Sequence, residues 1–144
     1  MLRTFRNVSV VFAVLLLGAC TRDLSYTEMQ ALLPAQPADK GRIYFYREVA
    51  FLGNLITPDV VLNNKSVGTS NPGAFFYIDR EPGDYTVFCG KGEYNVATFT
   101  LAAGQEVYVR TKIGDSILTT TMVTEITTAP VAIPAIHNLK FVPR

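Results

Sequence analysis

The chain has 144 residues, a formal net charge of +1, two cysteines, one histidine and no tryptophan. A body this close to neutral carries no broad electrostatic footprint for nucleic acid or an anionic surface, so nucleic-acid partners are excluded from the reading. Hydrophobic residues make up 49% of the sequence, enough to fill the core of one domain.

The chain opens with Arg3 and Arg6, followed by an apolar run from Val8 to Leu17 and then Gly18-Ala19-Cys20. A charged start, a short apolar stretch and small residues before a cut site are the parts of a bacterial secretory signal. The apolar run is about ten residues, whereas a helix needs ~20 to cross a bilayer. Leu17-Gly18-Ala19-Cys20 resembles the lipobox of bacterial lipoproteins. That resemblance implies cleavage before Cys20, lipid attachment to its sulfur and acylation of the new amino end. Residues 1–19 are then a signal peptide, and 125 residues remain with 11 basic against 12 acidic side chains. Attachment to a membrane would have to come from lipid, and several chains anchor stably where one does not. Thr21 and Arg22 follow Cys20, and Asp23 comes two places after the position directly behind the Cys. In enteric-type bacteria an Asp directly after the Cys marks retention at the inner membrane, so the expected location is the periplasm-facing surface of the outer membrane.

Residues 20–40 read as the lipidated Cys and a tether. Ser25 and Glu28 have capping-box spacing, and Met29, Ala31, Leu32 and Leu33 follow, which predicts one or two helical turns ended by Pro34 and Pro37. Fully extended at ~3.3 Å per residue, such a tether would reach about 65 Å.

From Arg42 to Thr124 the chain is a series of short β-type runs separated by turn signals. The runs are Arg42–Arg47, Asp59–Leu62, Lys65–Val67, Ala74–Arg80, Tyr85–Cys89, Val96–Leu101, Glu106–Ile113 and Ile117–Thr124. Asn63-Asn64 joins two of them as a tight hairpin turn, since Asn tolerates positive φ. Asn71-Pro72-Gly73, Glu81-Pro82-Gly83-Asp84, Ala103-Gly104 and Gly114-Asp115 supply further turns. The expected fold is all-β, an antiparallel β-sandwich of about seven strands over residues 41–125. Alternation predicts a core of Ile43, Phe45, Val60, Leu62, Phe75, Tyr77, Tyr85, Val87, Phe99, Leu101, Val107, Val109 and Ile117. It turns Tyr44, Tyr46, Tyr108, Arg110 and Lys112 to the opposite face. Residues 126–144 form a tail in which Ala135–Leu139 suggests a helical turn, and Ile133, Ile136, Leu139 and Phe141 favour docking on the body.

Three stretches carry a family resemblance. They are Lys40-Gly41-Arg42-Ile43-Tyr44-Phe45-Tyr46-Arg47, then Val60-Val61-Leu62-Asn63-Asn64-Lys65-Ser66-Val67-Gly68, then Glu81-Pro82-Gly83-Asp84-Tyr85-Thr86-Val87 followed by Ala103-Gly104-Gln105-Glu106-Val107-Tyr108-Val109. Together they resemble DUF2846, a group of small bacterial envelope lipoproteins of unknown function, over roughly residues 40–112. The layout is also similar to PEGA and transthyretin-like β-sandwich modules. The resemblance implies a β-sandwich and an envelope location, and it supplies no catalytic residues.

The chemistry-bearing residues are sparse. His137 stands in the tail; a Ser-His-Asp site would need it near a nucleophile and an orienting acid, and candidates for these exist by composition only. Cys89 alternates with Tyr85 and Val87, as a buried core thiol would. The acids are scattered singly, without the clusters a metal needs. Gly90-Lys91-Gly92 reads as a hairpin loop, and Arg80 separates Asp79 from Glu81. No catalytic residue, metal or cofactor is therefore expected. The functional lead is a recognition patch of Tyr44, Tyr46 and Tyr108 with Arg47 and Arg110. The expected function is a lipid-anchored, non-catalytic β-sandwich that binds a protein or envelope component. The alternative is a carbohydrate- or peptidoglycan-binding module, and the sequence leaves the oligomeric state open.

Overall fold

Alternating apolar residues and strong turn signals produce nine strands and two short helices in the computed structural model, which describes residues 24–91, 95–114 and 121–144. The signal segment, Cys20 and Ile117 lie outside the described residues. The elements are α1 (Tyr26–Leu32), β1 (Gly41–Arg47), β2 (Asp59–Leu62), β3 (Lys65–Thr69), β4 (Ala74–Arg80), β5 (Gly83–Cys89), β6 (Ala97–Leu101), β7 (Glu106–Ile113), β8 (Met122–Thr127), α2 (Ala129–Ile136) and β9 (Lys140–Phe141).

The strands form an all-β sandwich. A five-stranded sheet has the order β8-β7-β1-β4-β9, and a four-stranded sheet has the order β3-β2-β5-β6. Most pairs are antiparallel, as expected, but β1–β7 and β4–β9 are parallel. A parallel pair needs a long connection. The chain between β1 and β7 crosses into the other sheet and back, and so returns in the same direction. The β2–β3 hairpin turns on Asn63 (φ 46°) and Asn64 (φ 62°), the doubly positive pair that matches strand twist. Asn63 also accepts the Thr86 N–H at 2.8 Å through its side-chain oxygen, which ties the turn to β5.

Between the sheets lies a core of Ile43, Phe45, Val60, Leu62, Val87, Leu101, Val107 and Val109, all expected there, with Phe76, Ile78, Cys89 and Met122. Tyr85 and Phe99 stack at 5.7 Å and are half-buried at its margin. One strand is out of phase with the expectation. Phe75 and Tyr77 do not enter this core; Phe76 and Ile78 do. The β1–β4 register explains the difference. Ile43 opposes Ile78 and Phe45 opposes Phe76, and directly opposed residues share a face. A strand apolar on both sides takes its phase from its partner.

The other face of the five-stranded sheet is covered too, so all seven residues of β1 are buried. α1 and α2 lie over it and make a second core with Tyr26, Met29, Tyr44, Tyr46, Phe75, Tyr108, Ala132, Ile136 and Leu139. α1 begins with the expected capping box: Ser25 Oγ accepts from Glu28 N–H, and Glu28 accepts from Ser25 N–H at 3.1 Å. Tyr26 and Met29 are buried against the sheet, so this part of the expected tether belongs to the body and the 65 Å stand-off does not apply. The tail is docked. α2 starts earlier than the helical turn expected at Ala135–Leu139, with Pro130 in the first turn, where a missing N–H does no harm. β9 then pairs with the start of β4. The strand expected at Ile117–Thr124 is β8, shifted to Met122–Thr127; residues 115–120 lie outside the described residues.

Candidate functional site

Strand alternation brings the three outward tyrosines together. Tyr44 and Tyr108 are register partners on β1 and β7, and their rings stack at 5.2 Å and 9°. Tyr46 is two residues along the same face, and its hydroxyl lies 3.1 Å from Thr127 Oγ1. The expected exposed patch is nevertheless absent, because each of the three rings is only 2% exposed. α1 and α2 cover them, with Tyr26 edge-on to Tyr44 at 6.3 Å. Burial pushes the phenols of Tyr44 and Tyr108 up, and the Glu106 carboxylate adds to it. Tyr108 donates to Glu106 at 2.7 Å. The cluster is an interior seam that joins the helices to the sheet.

The two arginines of the expected patch also part company. Arg110 is half-buried on β7 and pairs with Glu48 and with Glu125 at 3.2 Å. Arg47 is buried, at 2% exposure, and its guanidinium works inward. Nη1 donates to the carbonyls of Ile56 at 2.7 Å and Ser70 at 3.1 Å, and Nη2 donates to that of Gly53 at 2.9 Å. Burial pushes this guanidinium below its ordinary range.

Those carbonyls belong mostly to the loop of residues 48–58, between β1 and β2. The Ile56 N–H closes a turn on the Gly53 carbonyl at 3.0 Å. Gly53 has φ +82°, and a Cβ there would lie 1.6 Å from Ile113 Cδ1, so this position requires glycine. Above this fixed base Phe51 is 99% exposed and Leu55 98% exposed, with Val49 and Leu52 also exposed. A backbone held by a buried cation, carrying apolar side chains into solvent, is the arrangement of a preorganised contact surface. Nothing in the strand alternation marks this loop. Its only sequence signal is Val49-Ala50-Phe51-Leu52-Gly53-Asn54-Leu55-Ile56, an apolar run broken by a Gly-Asn turn where solvated loop residues are usual.

A second surface feature is a groove of about 360 Å³ beside β4, lined by Tyr77, Asp79, Arg80, Phe141 and Arg144. Two of these lining residues are engaged by Arg42, which grips both oxygens of Asp79, at 2.7 and 2.9 Å, and lies 4.4 Å over the Tyr77 ring.

The remaining candidates do not assemble. Cys89 is a free buried thiol in the sandwich core, and burial pushes it up to about 11. His137 is exposed at the end of α2, with Nε2 2.8 Å from Thr27 Oγ1. The five-stranded sheet lies between them. Asp79 is engaged by Arg42, and Glu81 by Lys40 at 3.2 Å. Among the described residues no group of three or more His, Cys, Asp or Glu side chains is placed to hold a metal ion. Among the described residues no helix is long and apolar enough to cross a membrane.

A family model described as a protein of unknown function (DUF2846) matches residues 37–124, from the segment before β1 to β8. The chain is 27% identical over 120 residues to an uncharacterized protein of Haemophilus influenzae, an alignment covering 76% of this chain and 69% of that relative. No solved structure matches the chain.

Proposed function

The chain belongs to the DUF2846 family, and from that premise we propose that it is a lipid-anchored envelope lipoprotein whose non-catalytic β-sandwich binds an envelope component through the loop of residues 48–58. The anchor is Cys20, acylated after cleavage of residues 1–19. The reading draws on the register of Arg3, Arg6, the apolar run and Leu17-Gly18-Ala19-Cys20. With Thr21 and Arg22 after the cysteine, the protein sits at the periplasmic face of the outer membrane.

The observation that carries the binding reading is the loop. Phe51 and Leu55 leave almost their whole surface in water, while Arg47 beneath them spends a buried charge on shaping the backbone. Burying a guanidinium is costly without partners, and here the partners are loop carbonyls. The carbohydrate alternative has less support, because Tyr44, Tyr46 and Tyr108, the rings that would stand in for tryptophan on a sugar platform, are covered.

Two experiments test this reading. Cys20→Ala is expected to leave an uncleaved or soluble form where the wild type fractionates with membranes; identical fractionation and migration overturn the anchor. Phe51→Ser with Leu55→Ser is expected to abolish crosslinking of the anchored protein to the envelope without changing its melting temperature. Unchanged crosslinking removes the loop from the reading.

A further inference from the structure

The chain enters the domain at the same end of the five-stranded sheet from which the apolar loop leaves. Ser25 bridges to Lys140, Lys140 is the ladder partner of Ala74, and Ala74 is the ladder partner of Arg47. Adjacent strands lie ~4.8 Å apart, so Ser25 is roughly 15 Å from the start of the loop. Leu24 is fixed at this edge, its carbonyl accepting the Phe141 N–H at 2.7 Å. From there α1 runs toward the opposite end, where Arg42 Nη2 reaches the Pro34 carbonyl at 3.2 Å. Cys20 is four residue steps before Leu24, a span of at most ~14 Å.

An acylated Cys20 would therefore hold this end of the sandwich against the bilayer, with residues 48–58 on the same side. The loop has the composition for that position. Phe51 and Leu55 project almost completely, Val49 and Leu52 flank them, and Glu48, the loop's one charged residue, is taken up by Arg110. A preformed backbone can present these side chains with little further loss of conformational freedom.

We infer that the loop of residues 48–58 is a membrane wedge: Phe51 and Leu55 enter the acyl boundary of the bilayer in which Cys20 is anchored. The inference rests on the lipid-anchor reading and names the bilayer lipid itself as the component bound. Shallow apolar insertion beside a lipid chain adds a second contact and sets the orientation of the domain. The turns at residues 81–83 and 102–105 would then point away from the membrane.

The chain has no tryptophan, so one inserted indole reports alone. Full-length Phe51→Trp, Leu55→Trp and Ala103→Trp proteins, processed in cells, are reconstituted in phosphatidylcholine vesicles with or without lipid brominated on its acyl chains. Intact mass reports acylation, and flotation reports vesicle association. The first two indoles are expected to shift to the blue and to lose about half their emission to brominated lipid, as insertion at the acyl boundary requires. Ala103→Trp, in the turn at the opposite end, keeps the emission of an exposed indole. Acylated protein that floats while Phe51→Trp stays water-like and unquenched overturns the wedge and leaves the anchor standing. A blue shift that appears without lipid and grows with protein concentration overturns it in favour of self-association. Protein of unacylated mass overturns the anchor reading, and with it the wedge as stated.

Discussion

The two ends of β1 each bury an arginine, and the two are held in opposite ways. Arg42 lies across from Asp79 in the β1–β4 register, takes both of its carboxylate oxygens and covers Tyr77. Arg47 meets three backbone carbonyls. The bond to Asp79 pushes the Arg42 guanidinium up, whereas burial pushes that of Arg47 down. A charge matched by a charge reinforces a strand pair that exists anyway. A charge matched only by carbonyls defines the path of a loop that would otherwise have no regular structure. The first clamps two neighbouring strands, and the second shapes the backbone under the apolar loop.

The strand the two arginines share carries the largest expected effect. Tyr44→Ala removes a buried ring under both helices and is expected to lower stability by about 4 kcal/mol in denaturant unfolding. A loss within surface range, under ~0.5 kcal/mol, would mean that the ring is solvated and the helix layer is not in place. Arg47→Ala should follow at about 3 kcal/mol, since it leaves carbonyls of Gly53, Ile56 and Ser70 without their donor. It should also raise proteolysis within residues 48–58, and protection equal to wild type there would deny the shaping role.

Cys89 reports on the same end, where Arg47 opposes part of the effect of burial on its thiol. Its folded value of about 11 lies above the ordinary 9.0. As pH rises between those values the unfolded chain loses a proton that the folded chain keeps, so stability falls through that window, by on the order of 2 kcal/mol. Below it the contribution is fully present. Cys89→Ala is expected to flatten the fall in unfolding free energy from pH 9 to 11; parallel curves for the two proteins would show that the thiol titrates normally. At the other end Arg42→Ala should cost about 1.5 kcal/mol, less than Arg47→Ala, because the abandoned Asp79 is partly exposed and water takes over. A cost larger than that of Arg47→Ala reverses the comparison. The smallest effect belongs to His137→Ala, which breaks an exposed contact with Thr27 and should change the melting temperature by an amount equivalent to less than ~0.5 kcal/mol.

Much of the sandwich was legible because its signals are local. Glu106–Ile113, Asp59–Leu62 and Ala74–Arg80 alternate or carry β-branched and aromatic residues between turn residues, and they are strands with those bounds. Asn63-Asn64 announced a turn requiring positive φ, and Ser25 with Glu28 announced a helix start. The site was less legible. Alternation correctly separated Tyr44 and Tyr46 from Ile43 and Phe45, but it cannot distinguish a wet face from one covered by a remote segment. The loop is not legible in the sequence because its apolar residues have no period, and its shape comes from Arg47, which in the sequence reads as a member of the surface patch.

By itself, then, the sequence determined the strands, their turns and which residues of most strands share a face, because pleat and turn geometry act over two to four neighbouring residues. Only the tertiary structure decided the parallel placement of β7 beside β1, the phase of β4 and the burial of the tyrosines beneath residues 26–32 and 129–136. It also decided the inward turn of Arg47 that leaves Phe51 and Leu55 in solvent. Each of these depends on which distant segments meet, and no local periodicity encodes that.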